Sequence, residues 1–201
     1  MNEVRKMRAF LAVPSDGMWV ESARDLVARL REALPEASWT KPTSWHLTLK
    51  FFEGITEGEA RAFGEGVAAD ALATVRGDLL ASGAVVFPAR GPARVLGVGF
   101  APSEALEEIA RLAVLAEEHA RRLSLAEERR PFHAHVTLAR IRRAWAPEAV
   151  ERFKSEVEGW TFPPWHARSC VLYESRLERD GAVHAPFEEW SFSGGPRGVR
   201  A

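Results

Sequence analysis

The chain has 201 residues, of which 46% are hydrophobic and 27% are charged, and its formal net charge at pH 7 is −1. This composition is typical of a folded protein with a sizeable core and excludes a disordered chain, and the near-zero charge excludes the global basic field of a protein that coats nucleic acid. The single cysteine, Cys170, excludes an internal disulfide framework and a cysteine-rich zinc site, and no segment is long and apolar enough to span a membrane, so we predict a cytoplasmic location.

Strands and helices are predicted to alternate along the sequence without a linker. In chain order the periodicity of apolar residues indicates strands at 8–13, 46–52, 84–87, 95–100, 133–141, 169–176 and 183–192, and helices at 22–34, 56–75, 103–123 and 147–157. Ser103 is expected to cap the third helix, and the run from Thr56 to Glu59 has the pattern of a capping box that opens the second.

Two of the predicted strands carry the same short pattern, His46-Leu47-Thr48-Leu49 and His135-Val136-Thr137-Leu138. Alternation along a strand places the His and Thr side chains on one face and the apolar side chains on the other. Each strand would therefore bury an apolar face in a core and present one imidazole and one hydroxyl. Because the two motifs occupy similar places in the two halves of the chain, we expect both polar faces to meet in one central cleft.

Two imidazoles and two hydroxyls around one cleft match the requirements of phosphodiester cleavage. One neutral imidazole can take a proton from the attacking oxygen while a protonated one donates to the leaving oxygen. The hydroxyls of Thr48 and Thr137 can donate hydrogen bonds to the non-bridging phosphate oxygens. The plainer alternative is that all four are ordinary strand residues, but a matched pair of motifs favours the catalytic interpretation.

These residues resemble the 2H phosphoesterases, a family defined by two His-Xaa-Thr motifs, and within it the bacterial and archaeal RNA 2′,3′-cyclic phosphodiesterases, historically called 2′-5′ RNA ligases. The flanking segments that are also similar to the family are 8–14, 94–99, 130–140 and 172–175. The chain departs from the family pattern at Ala134, where proline is usual, at Glu53, where an apolar residue is usual, and at His184, where tyrosine is frequent.

The resemblance implies an α+β fold of two lobes, each an antiparallel sheet with helices packed outside and a cleft between them. We predict one two-lobed catalytic domain over residues 1–193 and a loose tail over 194–201. The implied reaction is hydrolysis of RNA 2′,3′-cyclic phosphodiester ends to 2′-phosphomonoesters, without a metal or cofactor, with 2′-5′ ligation as a possible reverse reaction. His46 is implied as the proton donor to the leaving 3′ oxygen and His135 as the base that activates water, an order that the residue chemistry alone leaves open.

Further residues are candidates for contacting the RNA. His133 is expected on the same strand face as His135, where it could touch phosphate or lie on the rim of the cleft. Arg130 and Arg140 could bind RNA phosphates, although strand alternation places Arg140 on the face opposite His135, where a structural salt bridge competes. The remaining side chains are expected in structural roles: Phe10, Trp45 and Phe132 in the core, Cys170 as a buried small hydrophobe, and His119, Arg121, Arg122, Arg142 and Arg143 on solvated faces.

Two other classes of protein remain open at this stage. A metal-dependent hydrolase could use His133 and His135 as ligands, although no third ligand clusters with them in the sequence. A non-catalytic module that binds RNA or nucleotides could share the scaffold. No obligate protein partner is indicated, and we expect a monomer.

Overall fold

The computed structural model describes residues 5–71, 75–128, 130–178 and 181–192. Within these residues eight strands form one sheet and four α-helices pack against it. In chain order the elements are β1 (Lys6–Pro14), α1 (Gly17–Ala33), β2 (Ser38–Trp39), a 3-10 turn (Pro42–Ser44), β3 (His46–Thr56), α2 (Glu57–Ala71), β4 (Ala81–Phe87), β5 (Val95–Phe100), α3 (Glu104–Arg122), β6 (His135–Arg140), α4 (Pro147–Glu158), β7 (Ser169–Glu178) and β8 (Gly181–Ser191).

The sheet has the strand order β4-β5-β6-β3-β1-β7-β8, and every pairing is antiparallel. The predicted α+β, antiparallel fold is therefore confirmed. The two predicted sheets correspond to two half-sheets, β4-β5-β6 and β3-β1-β7-β8, which meet through one register pair, Leu47 with Val136. Hydrogen bonding thus continues across the junction, and the lobes share one sheet.

β2 completes this junction. It pairs with the end of β6, with Ser38 opposite Arg140 and Trp39 opposite Ala139. β3 and β2 therefore line successive stretches of the same edge of β6, while β5 occupies the other edge. A two-residue strand shows no periodicity, and for that reason the sequence did not predict it.

Three of the helices, α1, α2 and α3, begin beside a side chain that accepts from a free backbone N–H, whereas α4 begins at Pro147 without such a cap. Thr56 and Glu59 exchange the two hydrogen bonds of a capping box, and Ser103 accepts from the N–H of Leu106, so both predicted caps are confirmed. α1 begins five residues before its predicted start, because Asp16 accepts from the N–H of Met18 and the first turn buries Trp19 completely.

The core lies between the helices and the apolar face of the sheet. Trp19 packs against Trp45, Phe162 and Trp165, and all three tryptophans are buried. Burial of one large apolar side chain contributes about 1.5–3 kcal/mol. Cys170 is fully buried, as predicted, and this burial raises the pKa of its thiol to about 12.

The predicted end of the second helix and the predicted tail differ from, or lie beyond, what the structure describes. The second helix was predicted to reach residue 75, but Val75 lies outside α2, and residues 72–74 fall outside the described part. The predicted tail at 194–201 also lies outside the described residues. No helix within the described ranges is long and apolar enough to cross a membrane.

Candidate active site

The two His-Xaa-Thr motifs lie side by side where the half-sheets join. Leu47 and Val136 are register partners and are both fully buried, so their side chains point into the core. Leu49 and Leu138 are also buried, whereas the His and Thr side chains of both motifs are half-buried. The predicted alternation of apolar and polar faces is thus confirmed for both strands.

The register of this single pair determines how the four polar residues are arranged. In an antiparallel pairing, the residues that flank Leu47 lie opposite the residues that flank Val136. His46 is therefore opposite Thr137, and Thr48 is opposite His135. The four side chains therefore occupy the corners of one patch on the face opposite the core, with the imidazoles at diagonal corners. Diagonal positions on adjacent strands are about 7–8 Å apart, so side chains that lean inward can reach one phosphate from opposite sides.

Both imidazoles are oriented by the same backbone contact. The Nδ1 atom of His46 lies 2.7 Å from the carbonyl oxygen of Ser44, and that of His135 lies 2.8 Å from the carbonyl oxygen of His133. A carbonyl can only accept, so each Nδ1 carries the hydrogen and donates it. In the neutral ring the Nε2 atom then holds the free lone pair, which is the form a general base needs.

Aromatic rings pack against each catalytic candidate. Phe10 stacks on His46 at 4.5 Å between centroids, and His184 meets the same imidazole edge-on at 5.5 Å. Phe87 contacts His135 edge-on at 5.0 Å. These contacts shield part of each imidazole from water and restrict the ring planes.

Burial lowers the pKa of both imidazoles, because an apolar surrounding disfavours the charged form. Burial and the neighbouring His184 lower the pKa of His46 to about 4. Burial is also the main cause of the lowered pKa of His135, to which His133 and Arg140 add. These shifts favour the neutral form of both rings at pH 7.

Arg140 supplies positive charge to the site. Its positive charge adds a small part to the lowering of the pKa of both His46 and His135. Among the described residues it has no carboxylate partner, and the structural salt bridge that strand alternation suggested is absent there. The side-chain hydroxyls of Thr48 and Thr137 likewise have no hydrogen-bond partner within those residues. Two hydroxyls and one guanidinium are thus left to bind an anion.

The other predicted RNA contacts are His133 and Arg130. β6 starts at His135, so His133 precedes the strand; its side chain is exposed, and its carbonyl orients His135. His133 thus lies outside the strand to which it was predicted to belong, but its ring contacts Phe87 at 5.8 Å between centroids, and Phe87 also contacts His135 at 5.0 Å, so the two histidine rings lie beside the same phenylalanine. Arg130 forms a two-pronged ion pair with Glu128 on the surface, and this pairing lowers the pKa of Glu128 to about 2.

Several structural expectations are also settled. Trp45 is buried in the core and Phe132 is half-buried against it, as predicted, whereas Phe10 is buried outside the core cluster, against His46. Arg121 and Arg122 form loose surface ion pairs, and Arg142 and Arg143 are exposed. His119, predicted to face solvent, is instead half-buried because α2 brings the backbone of Gly66 against its ring. The imidazole of His166 forms a hydrogen bond with the carboxylate of Asp78, and both residues lie outside the two motifs in the sequence.

A metal site finds little support among these side chains. Within the described ranges no three His, Cys, Asp or Glu side chains are grouped so that they could hold an ion. The Nδ1 atom of His135 is also engaged by a carbonyl. A surface groove between α1 and α4, lined by Arg29, Glu32, Ala33, Arg152 and Glu156, lies apart from the histidines and holds no catalytic candidate.

Comparison with known proteins identifies the class to which this fold and site belong. The chain matches the sequence model of the LigT-like phosphoesterases over residues 18–96 and 100–184. Since this match covers most of its length, the chain belongs to the LigT-like, or 2H, phosphoesterase family.

Individual relatives are more distant. The chain is 28% identical to an RNA 2′,3′-cyclic phosphodiesterase of Methanothermobacter thermautotrophicus over 91% of this chain and 97% of that one. It is 26% identical to a protein of the same name from Geobacillus stearothermophilus over 88% of this chain, but it spans only 54% of that relative. Two solved structures share the fold: a protein of Thermus thermophilus, at 24% identity and a TM-score of 0.71 over 94% and 99% of the two chains, and apo E. coli LigT, at 20% and 0.69 over 94% and 98%.

The lowered pKa values predict the pH dependence of catalysis. A mechanism that needs one neutral and one protonated imidazole works between the two pKa values, and kcat/KM reports those of the free enzyme. Because the pKa of His46 is about 4 and that of His135 is below its usual 6.5, kcat/KM should peak on the acid side of 6.5 and fall through neutral pH. A bound phosphate anion raises both pKa values, so the kcat profile should lie at higher pH. A kcat/KM that rises from pH 6 to pH 8 would contradict these environments.

Proposed function

We propose that the protein hydrolyses RNA ends bearing a 2′,3′-cyclic phosphate to 2′-phosphomonoesters, without a metal ion, by acid-base catalysis between His46 and His135. The observation that carries the proposal is the placement of two imidazoles and two hydroxyls around the pair Leu47 and Val136. The names of the archaeal and bacterial relatives support RNA 2′,3′-cyclic phosphodiester as the substrate. The proposal treats residues 1–193 as one catalytic domain that works as a monomer.

In the proposed reaction His135 accepts a proton from water through its Nε2 atom as the water oxygen attacks phosphorus. The bond from phosphorus to the 3′ oxygen breaks, and the Nε2–H of protonated His46 donates its proton to that oxygen. The products are a 2′-phosphate and a free 3′ hydroxyl, with His46 neutral and His135 protonated. Proton exchange with solvent restores the starting state.

Binding of the substrate prepares this arrangement. The cyclic phosphodiester carries one negative charge, and an opposite charge within about 4–6 Å raises the pKa of an imidazole. The hydrogen bond from His46 to Ser44 also favours the protonated ring. His46 can therefore be protonated at pH 7 once the phosphate is bound.

The remaining polar groups stabilise charge on the phosphate. Thr48 and Thr137 donate hydrogen bonds to the non-bridging oxygens, and Arg140 places a positive charge beside them. We assign the exposed His133 and Arg130 to further contacts with the RNA chain. If a 5′ hydroxyl replaces water as the nucleophile, the same breaking of the bond to the 3′ oxygen joins two RNA ends by a 2′-5′ bond.

The absence of a metal requirement is directly testable. The purified protein should convert an oligoribonucleotide with a 2′,3′-cyclic phosphate end at the same rate with and without EDTA, since imidazoles and hydroxyls supply all the required groups. Loss of activity with EDTA that zinc or manganese restores would favour a metal-dependent hydrolase. Binding of the oligonucleotide without turnover would favour the non-catalytic module.

A further inference from the structure

Thr40, which lies between β2 and the 3-10 turn, connects the two catalytic motifs. The indole Nε1–H of Trp45 donates to the Thr40 hydroxyl oxygen at 2.8 Å. That hydroxyl lies 2.9 Å from the carbonyl oxygens of both Thr137 and Leu138, between which it shares its one hydrogen. The backbone N–H of Thr40 also donates to Leu138 at 2.9 Å. We call this set of contacts the Thr40 bridge.

Each end of the bridge is next to a group of the proposed mechanism. Trp45 precedes His46 in the chain, is 3% exposed, and accepts a hydrogen bond at its own carbonyl from Ser15. Trp45 is thus held firmly on both sides. At the other end, the carbonyl of Thr137 belongs to the residue whose hydroxyl is proposed to bind the phosphate. A shift of either end therefore moves a catalytic or phosphate-binding side chain.

The bridge matters because little else joins the half-sheets at this point. β3 and β6 share one register pair, whereas β1 and β3 share eight. A junction of one pair can splay, and splaying would separate His46 from His135. Thr40 ties the first motif to the second beside that pair.

The geometry points to Thr40 as a positioning residue that sets the distance between the two imidazoles. It touches no reacting atom and acts through Trp45 and the Thr137 carbonyl. This inference rests on the proposed function, since the spacing matters only if both histidines act on one phosphate. A misplacement of about 1 Å in an active site can cost about 10²-fold in rate.

The test compares three variants on an RNA 2′,3′-cyclic phosphate end. Thr40→Val keeps the side-chain shape and removes the hydroxyl, so kcat should fall by about 10- to 100-fold with KM changed less than threefold. Thr40→Ser retains a hydroxyl and should restore kcat to within about threefold of the unaltered protein. The matched control is Ser22→Ala, because Ser22 accepts from the indole of Trp160 at 3.0 Å in a contact outside the site.

Ser22→Ala should leave kcat unchanged, and its shift of the urea unfolding midpoint should be similar to that of Thr40→Val. If Thr40→Val retains full kcat, or if Thr40→Ser fails to restore it while both variants are folded, the positioning role is wrong. If the unaltered protein itself shows no turnover, the proposed function fails instead. The two failures are therefore distinguished in one series of assays.

Discussion

Replacement of either motif histidine by alanine should lower kcat by about 10²-fold or more while the fold is retained. General acid or general base assistance contributes about 10²- to 10⁴-fold, and each variant removes one such group. The loss in the double variant should be far smaller than the product of the single losses, because groups that act as a unit are not additive. His166→Asn, which alters a histidine away from the motifs, is the control and should retain full kcat.

A substrate with sulfur in place of the leaving 3′ oxygen separates the two roles. A thiolate leaves without protonation, so the variant that lacks the general acid should be rescued on this substrate, whereas the variant that lacks the general base should stay slow. Since His46 is the proposed donor, His46→Ala should approach the rate of the unaltered protein and His135→Ala should not. The opposite pattern would exchange their roles, and near-normal rates for either variant on the natural cyclic phosphate would remove that residue from the mechanism.

The second large effect concerns stability and a buried charge on β3. Lys50 is 2% exposed, and its ammonium group contacts a Glu117 carboxylate oxygen and the carbonyl oxygen of Ala126, each at 2.7 Å. Glu117 also accepts from the N–H of Glu128 at 3.0 Å. The pair thus fastens α3 and the segment before β6 to the strand that carries the first motif.

Removal of the two partners should have unequal consequences. Glu117→Ala leaves an ammonium group buried without its counter-charge, and we expect the free energy of unfolding to fall by about 3 kcal/mol. Lys50→Met fills a similar volume and leaves a carboxylate that water can reach, so its cost should be nearer about 1 kcal/mol. Urea denaturation measures both.

Glu57→Ala is the control for this pair, since its ion pair with Arg61 lies on the surface. Both of those side chains are more than 60% exposed, and such pairs contribute about 0–1 kcal/mol. If Glu117→Ala and Glu57→Ala lower the free energy of unfolding equally, the buried ion pair adds no stability beyond that of an exposed one.

Lys50 also shows where sequence reasoning stops. Alternation predicted the two faces of the motif from His46 to Leu49, but β3 and β1 shift register between Leu11 and Ala12, and beyond that shift Lys50 points into the core. Similarly, β5 and β6 shift register beside Gly97, and the consecutive residues Leu138 and Ala139 are both buried. Strict alternation therefore misjudged Arg140, whose charge reaches both imidazoles.

The chemistry of the site was predictable because its residue types repeat in a recognisable pattern. The contacts that hold these residues in place do not follow any sequence pattern. The histidine Nδ1–H groups donate to backbone carbonyls, which every residue possesses. Thr40 lies in a segment without periodicity, and only the tertiary fold brings it between Trp45 and Thr137. The single pair between the half-sheets is likewise a long-range contact that local propensity does not determine.

Identification of the product formed from an oligoribonucleotide with a 2′,3′-cyclic phosphate end tests the central claim most directly. Phosphorus NMR distinguishes the cyclic diester from the 2′- and 3′-monoesters. With EDTA present, the unaltered protein should yield the 2′-monoester alone, and the variant lacking both His46 and His135 should leave the diester intact. A 3′-monoester product, or equal turnover by the double variant, would contradict the proposal that these two histidines open the ring by protonating the 3′ oxygen.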